Sequence, residues 1–209
     1  MNEKLIREVQ SVPGLQLVAV TKKHTKEEVD ELARLGLRVF GENRVQEFLE
    51  KYDPAYEWHI IGHLQTNKVK YLMGKVSLIE SVDSIKLAAE IEKQAAKAGL
   101  VQPILIELKI SDDPNKTGCP LCEYPGLLDF VLQQPHLRLD GLMCIASHTD
   151  DENKVAEEFD QMKEFSRQLQ QKVPGADILS MGMSQDWKLA AAHGSTQVRI
   201  GTALFEPQD

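Results

Sequence analysis

Short apolar runs rich in β-branched residues alternate along this chain with longer stretches whose apolar positions recur every three to four residues. The first kind reads as strands, the second as amphipathic helices. Strands are expected at 16–21, 38–40, 57–61, 77–80, 103–110, 137–145, 177–180 and 197–200. Helices are expected at 26–35, 45–52, 67–73, 85–98, 121–133, 151–173 and 185–193. Thr25 with Glu28 three residues on forms a capping box, and Gly36 stops that helix; Ser84 and Gly99 bracket the helix at 85–98. Pro125 and Gly126 weaken the start of the helix at 121–133. The longest helix carries Val155, Phe159, Met162, Phe165 and Leu169 at helical spacing. Regular strand–helix alternation argues a parallel sheet with crossover helices. The expected fold is α/β, a single (β/α)8 TIM-type barrel near its lower size limit, with an open doubly wound sheet as the competing arrangement. No linker-like or low-complexity stretch divides residues 1–209, so one domain is expected.

Composition narrows the function. The charge is 24 − 32 = −8 over 209 residues. That argues against nucleic acid, whose phosphates call for clustered Lys and Arg, and against an anionic membrane surface. No apolar run approaches the ~18 residues of a spanning helix, and the first residues lack the apolar core of a secretory signal. Three cysteines, Cys119, Cys122 and Cys144, are an odd count that suits a reducing cytoplasm.

In parallel α/β folds ligands sit beyond the carboxyl ends of the strands. Those positions hold Lys22, then 41–44 (GENR), 62–68 (GHLQTNK), Ser81 and Asp83, 181–184 (MGMS), and Gly201 with Thr202. Glycines and helix starts in the last two loops suit a phosphate. A buried lysine after the first strand is the kind of amine that forms a Schiff base. Together they point to a phosphorylated carbonyl ligand, of which pyridoxal 5′-phosphate (PLP) is the common one.

Segments 17–22 (LVAVTK), 40–43 (FGEN), 58–68 (WHIIGHLQTNK), 81–84 (SVDS), 181–184 (MGMS) and 194–203 (GSTQVRIGTA) closely resemble the pyridoxal phosphate homeostasis proteins of the YggS/PROSC type, which are related to the barrel domain of alanine racemase. The resemblance runs from about Leu15 to Phe205 with motifs in family order. It implies that Lys22 carries the Schiff base, that Ser184, Gly201 and Thr202 hold the phosphate, and that Arg199 faces the pyridine nitrogen. Asn43, His59 and Met181 are implied to line the pocket. A guanidinium there disfavours protonation of the ring, which makes it a weak electron sink, better at holding the cofactor than at carbanion chemistry. The implied function is intracellular PLP homeostasis, buffering or delivery of the cofactor by a cytoplasmic monomer without robust catalysis, with PLP-dependent apoenzymes as recipients. The chain departs from the family in a short segment before the first strand, which puts the packing of the barrel's amino-terminal face in question. It also has Lys109 for Asn, Ser147 for Pro, and Glu206 for Gly after the final Phe.

Other readings compete. A PLP-dependent amino-acid racemase needs a second base on the opposite face of the substrate. In alanine racemase that base is a tyrosine from a separate domain, which is not expected here, and Tyr52, Tyr56, Tyr71 and Tyr124 are expected outside the mouth. The Cys119–Cys122 spacing suits a thiol-redox protein. Lys22 on its own reads as a solvated surface amine, the usual state of a lysine at a strand end; alternation sends Lys22 and Lys23 opposite ways, so only one enters the mouth. Segment 182–184 is also an ordinary turn with Ser184 as helix cap, and Asp186 in place of Gly excludes a nucleophile elbow. The spacing of Gly36 and Gly41 imitates a P-loop, but Glu42 replaces its lysine. His59 and His63 span a strand and a loop, which does not suit zinc, and Arg199 alone could be a rim ion-pair former.

Overall fold

A computed structural model describes residues 1–114 and 116–206. Eight parallel strands close into a barrel: β1 (Gln16–Val20), β2 (Val39–Glu42), β3 (Glu57–Ile60), β4 (Leu78–Val82), β5 (Gln102–Lys109), β7 (Leu137–Cys144), β8 (Ile178–Ser180) and β9 (Gln197–Ile200). The hydrogen-bonded order is β4-β3-β2-β1-β9-β8-β7-β5, and pairing of β4 with β5 closes the ring. That closure excludes the open doubly wound sheet. A two-residue strand, β6 (Cys119–Pro120), pairs with β5 outside the ring.

The helices form where capping chemistry and apolar spacing coincide. Helix α2 (Lys26–Arg34) has the complete capping box, with Thr25 N–H donating to Glu28 Oε2 at 2.7 Å. Helix α4 (Ile85–Ala98) ends on Gly99 at φ +65°, and Asp151 caps α6 (Glu152–Lys172). The other outer elements are α3 (Val45–Lys51), α5 (Tyr124–Leu132) and α7 (Trp187–Ala192). Leu17, Ala19, Phe40, Trp58, Ile60 and Ile79 bury their outward faces against this helical layer.

Three departures from the pattern-based expectation have local causes. Residues 121–123 are not helical, because Pro125 fits only the first turn, and α5 starts at Tyr124. The segment expected as an α-helix at 67–73 is a 3-10 helix over Thr66–Tyr71, too short for a full amphipathic face. The short segment before β1 is itself a helix, α1 (Glu3–Gln10), whose Ile6 and Val9 are buried. Asn2 caps it, and its backbone N–H and side-chain amide donate to Leu204 and Ala203 carbonyls at 2.8 and 3.0 Å. These bonds tie α1 to α8 (Thr202–Phe205), the helix that opens beyond β9.

Candidate functional site

Alternation along the strands stacks the barrel interior in layers. The lower layer is apolar: Leu78, Leu105 and Met143 pack with Ile145 and Ile178. Two residues further along, Leu78 gives way to Glu80, Leu105 to Glu107 and Ile178 to Ser180. In this second layer Glu80 and Ser180 belong to one connected polar network, while Glu107 bonds Thr117. The fully buried Glu80 carboxylate lies 2.7 Å from His59 Nδ1 and accepts from Gln197 Nε2 at 2.8 Å and Ser180 Oγ at 2.6 Å. Ser180 Oγ in turn accepts from Arg199 Nη1 at 2.6 Å. Arg199 Nη2 donates to the Cys144 carbonyl at 2.8 Å, and Nε makes no hydrogen bond among the described residues.

The electrostatics of this layer pull two carboxyls apart. Burial pushes Glu80 up, but the His59 hydrogen bond and charge, the Arg199 charge and the Ser180 hydroxyl outweigh it and hold the group below the ordinary carboxylate value. Burial raises Glu107 above its ordinary value, and a 2.6 Å hydrogen bond from Thr117 only partly opposes it. An ionised carboxylate and a guanidinium are thus joined through one serine hydroxyl directly beneath the mouth.

Above this layer the chain leaves β1. Lys22 lies in the turn after Thr21, and among the described residues its amine has no hydrogen-bond or ion-pair partner. The expected burial of Lys22 is not found: β1 ends at Val20, and the turn carries Lys22 beyond the last side-chain layer into an exposed position. Lys23 turns away from it, with φ at +66° and its N–H donated to Glu47 Oε2 at 2.9 Å.

Beside the mouth lies a cleft of about 1070 Å³ lined by Ser147, His148, Ser184, Gln185, Thr202 and Ala203, among others. Asp186 Oδ1 takes the Met183 N–H at 2.6 Å, and the Met183 carbonyl takes the N–H groups of Asp186 and Trp187. Among the described residues the N–H groups of Ser184 and Gln185 are left unpaired in the loop ahead of α7. Gly182 is required by its φ of +96° and by Ala190, whose Cβ would lie 2.5 Å from an added Cβ. A smaller cleft of about 510 Å³, lined by residues such as Leu137, Asp140, Val173 and Asp177, opens at the opposite end of β7 and β8.

The expected site residues divide accordingly. Ser184 and Thr202 share the large cleft. Gly201 joins β9 to α8 beside β1, where an added Cβ would lie 3.3 Å from Val20 Cβ. His59 and Arg199 belong to the polar layer beneath. Asn43 is half-buried after β2, its carbonyl 2.6 Å from a Cβ placed on Gly62. Met181 is not brought to the mouth: Ser180 faces inward, so the next side chain is buried in the outer hydrophobic layer. Glu42 and Ser81, expected in loops, lie within β2 and β4, and Glu42 bonds Thr21 and Lys51 instead of facing a ligand. His63 stands 3.6 Å from Asp83. Cys119 and Cys122 are free thiols, and burial pushes Cys119 up to about 11, away from the reactive thiolate a redox pair requires. The sequence reading missed Glu80, Glu107, Ser180 and Gln197. Their signal was there: carboxylate, amide or hydroxyl residues within otherwise largely apolar strands.

A closed parallel barrel with an unpaired lysine after its first strand and an arginine in its last defines a class, and the family model described as alanine racemase, N-terminal domain, matches residues 2–208. A pyridoxal phosphate homeostasis protein of Aquifex aeolicus (strain VF5) is 44% identical over 195 residues, 91% of this chain and 86% of that protein. One from Helicobacter pylori (strain ATCC 700392 / 26695) is 36% identical over 198 residues, covering 92% and 87%. The structure of PipY of Synechococcus elongatus PCC7942 with PLP bound has a TM-score of 0.89 at 33% identity, covering 98% of this chain and 99% of that one. The chain belongs to the pyridoxal phosphate homeostasis protein family.

The raised Glu107 carboxyl gives a stability prediction. A carboxyl whose folded value is raised favours the folded state below its unfolded value, and that contribution is lost as pH rises through the folded value. Glu107→Gln should therefore be nearly neutral at about pH 4.5 and stabilising at about pH 8, read from urea midpoints. A variant equally destabilised at both pH values would contradict the raised carboxyl.

Proposed function

We propose that this chain binds pyridoxal 5′-phosphate at the barrel mouth through Lys22 and serves intracellular PLP homeostasis, buffering or delivering the cofactor without robust catalysis. The observation that carries this reading is the convergence of three complementary groups at one end of the barrel. They are the Lys22 amine and the N–H groups beside the Ser184 and Thr202 hydroxyls, which have no partner among the described residues, and the buried Arg199 guanidinium. An aldehyde, a phosphate and a ring nitrogen are the matching features of PLP. The names of the relatives and the PLP-bound PipY structure support the same ligand.

In this reading Ser184, Gly201 and Thr202 hold the phosphate, since glycine lets backbone approach an anion and exposed N–H groups and hydroxyls donate to it. The Lys22 nitrogen condenses with the aldehyde carbon, forming a C=N bond and releasing one water. Arg199 faces the ring nitrogen, with Asn43 and His59 beside the ring. Bound PLP supplies an electron-accepting ring, and a cation against its nitrogen disfavours the protonated form that accepts electrons best. Glu80 bonds Arg199 only through Ser180 and leaves that cation in place. Residues 1–209 act as one PLP-binding unit, a monomer whose recipients are PLP-dependent apoenzymes. No helix among the described residues is long and apolar enough to cross a membrane, and the free thiols fit a cytoplasmic setting.

Ser184→Ala removes one donor to a dianion, worth roughly 1.5–3 kcal/mol, so PLP affinity should fall about tenfold to a hundredfold in a spectroscopic titration. Pyridoxal without phosphate should bind much more weakly than PLP; equal affinity for the two would remove the phosphate from this cleft. The racemase reading is tested by α-proton exchange in deuterated water with L- and D-amino acids and PLP-loaded protein. Exchange should stay far below the ~1–10³ s⁻¹ of ordinary enzymes, and Lys22-dependent turnover in that range would overturn the carrier reading.

A further inference from the structure

The two peptide bonds that flank Lys22 are each held by a side chain of one helix. Helix α3 presents Glu47 and Lys51 four residues apart, on one face. Lys51 Nζ donates to the Thr21 carbonyl at 2.7 Å, the oxygen of the peptide bond entering Lys22. Glu47 Oε2 accepts the Lys23 N–H at 2.9 Å, the hydrogen of the peptide bond leaving Lys22. The Thr21 carbonyl also accepts the His24 N–H at 3.1 Å, which closes the turn. We propose that Glu47 and Lys51 of α3, with Glu42 behind them, are positioning residues that clamp the Thr21–Lys23 turn and so aim the Lys22 amine. This rests on the reading that Lys22 is the amine that takes the aldehyde.

Two features go beyond what attaching a helix to a barrel requires. The first is the burial of a charged pair. Lys51 is 5% exposed and Glu42 is fully buried, paired at 2.5 Å, and the same Glu42 oxygen accepts from Thr21 Oγ1 at 2.5 Å. Apolar side chains fill such an interlayer position at lower desolvation cost. What an apolar pair cannot do is donate to the Thr21 carbonyl. The second is the backbone of Lys23. Its φ of +66° is the one positive φ at a non-glycine among the described residues. Such conformations persist where their surroundings over-determine them, and here the Glu47 carboxylate supplies that constraint from outside the turn. A lysine on an unrestrained turn would sample many orientations, and each would have to be given up when the C=N bond forms.

The test separates aiming from packing by comparing two ligands. Pyridoxamine 5′-phosphate shares the ring and phosphate of PLP but carries an amine where PLP has the aldehyde, so it cannot condense with Lys22. The variants are Glu47→Ala, Glu47→Gln, which keeps an acceptor oxygen, and the double variant Glu42→Gln with Lys51→Met, which leaves no buried charge unpaired. PLP affinity should fall about tenfold in Glu47→Ala and in the double variant, the effect of losing one hydrogen bond involving a charged group. Pyridoxamine 5′-phosphate affinity should change less than about twofold, and Glu47→Gln should recover most of the PLP affinity. In ligand-free protein the Lys23 amide should be protected from hydrogen exchange and lose about tenfold of that protection in Glu47→Ala. Equal losses for both ligands would make α3 a packing element only, and unchanged PLP affinity or an unprotected Lys23 amide in the parent protein would also overturn the clamp. Absence of any condensation in the parent protein would overturn the function proposed above, while the exchange measurement would still decide the clamp.

Discussion

The wholly buried carboxylate of Glu80 is the constraint around which this barrel is built. A lone carboxylate at that depth would be expelled or protonated, because desolvation in a low-dielectric interior costs several kcal/mol. It survives ionised because His59, Ser180 and Gln197 each present a donor to it and Arg199 adds its charge through Ser180. Those donors come from β3, β8 and β9, so the network ties strands from opposite sides of the ring across its interior. The same requirement fixes Arg199. Its guanidinium is held by a hydroxyl and a carbonyl, not directly by a carboxylate, and three of its five N–H donors make no hydrogen bond among the described residues. Removing Glu80 would take from His59 Nδ1 its recorded partner and from Arg199 the negative charge that faces it through Ser180.

What lies above this floor follows from what the floor leaves unpaired. The polar layer consumes its own donors and acceptors almost completely, whereas the mouth does not. Lys22, the loop ahead of α7 and the start of α8 expose an amine, N–H groups and hydroxyls with no partners among the described residues. The expense of ordering such groups without pairing them is explicable when a ligand completes them. Helix α1 contributes indirectly, since its cap bonds the Ala203 and Leu204 carbonyls and so steadies the short helix that starts at Thr202.

Much of this was legible in the residues. The strand–helix rhythm carried the parallel barrel, and reading strand ends alone singled out Lys22, Ser184, Gly201 and Thr202 as candidates. Alternation is shared by open sheets, so closure was expected from the count of about eight strand–helix pairs and from the family resemblance, and the β4–β5 pairing bears it out. Glu80 was passed over because a glutamate near a strand end reads as solvated until the register shows which face it takes. Met181 is the reverse case, since its place in a family motif says nothing about its packing, and the structure buries it in the main hydrophobic cluster. Glu42 combines both: a motif residue next to the mouth whose side chain faces outward, toward Lys51.

The central claim, that the Lys22 amine is the group that captures the ligand, is tested most directly by borohydride reduction of protein saturated with PLP, followed by proteolysis and mass spectrometry. The account predicts a single phosphopyridoxyl adduct on Lys22, absent from Lys22→Ala. An adduct on Lys23 or Lys109, or one that persists undiminished in Lys22→Ala, would contradict it.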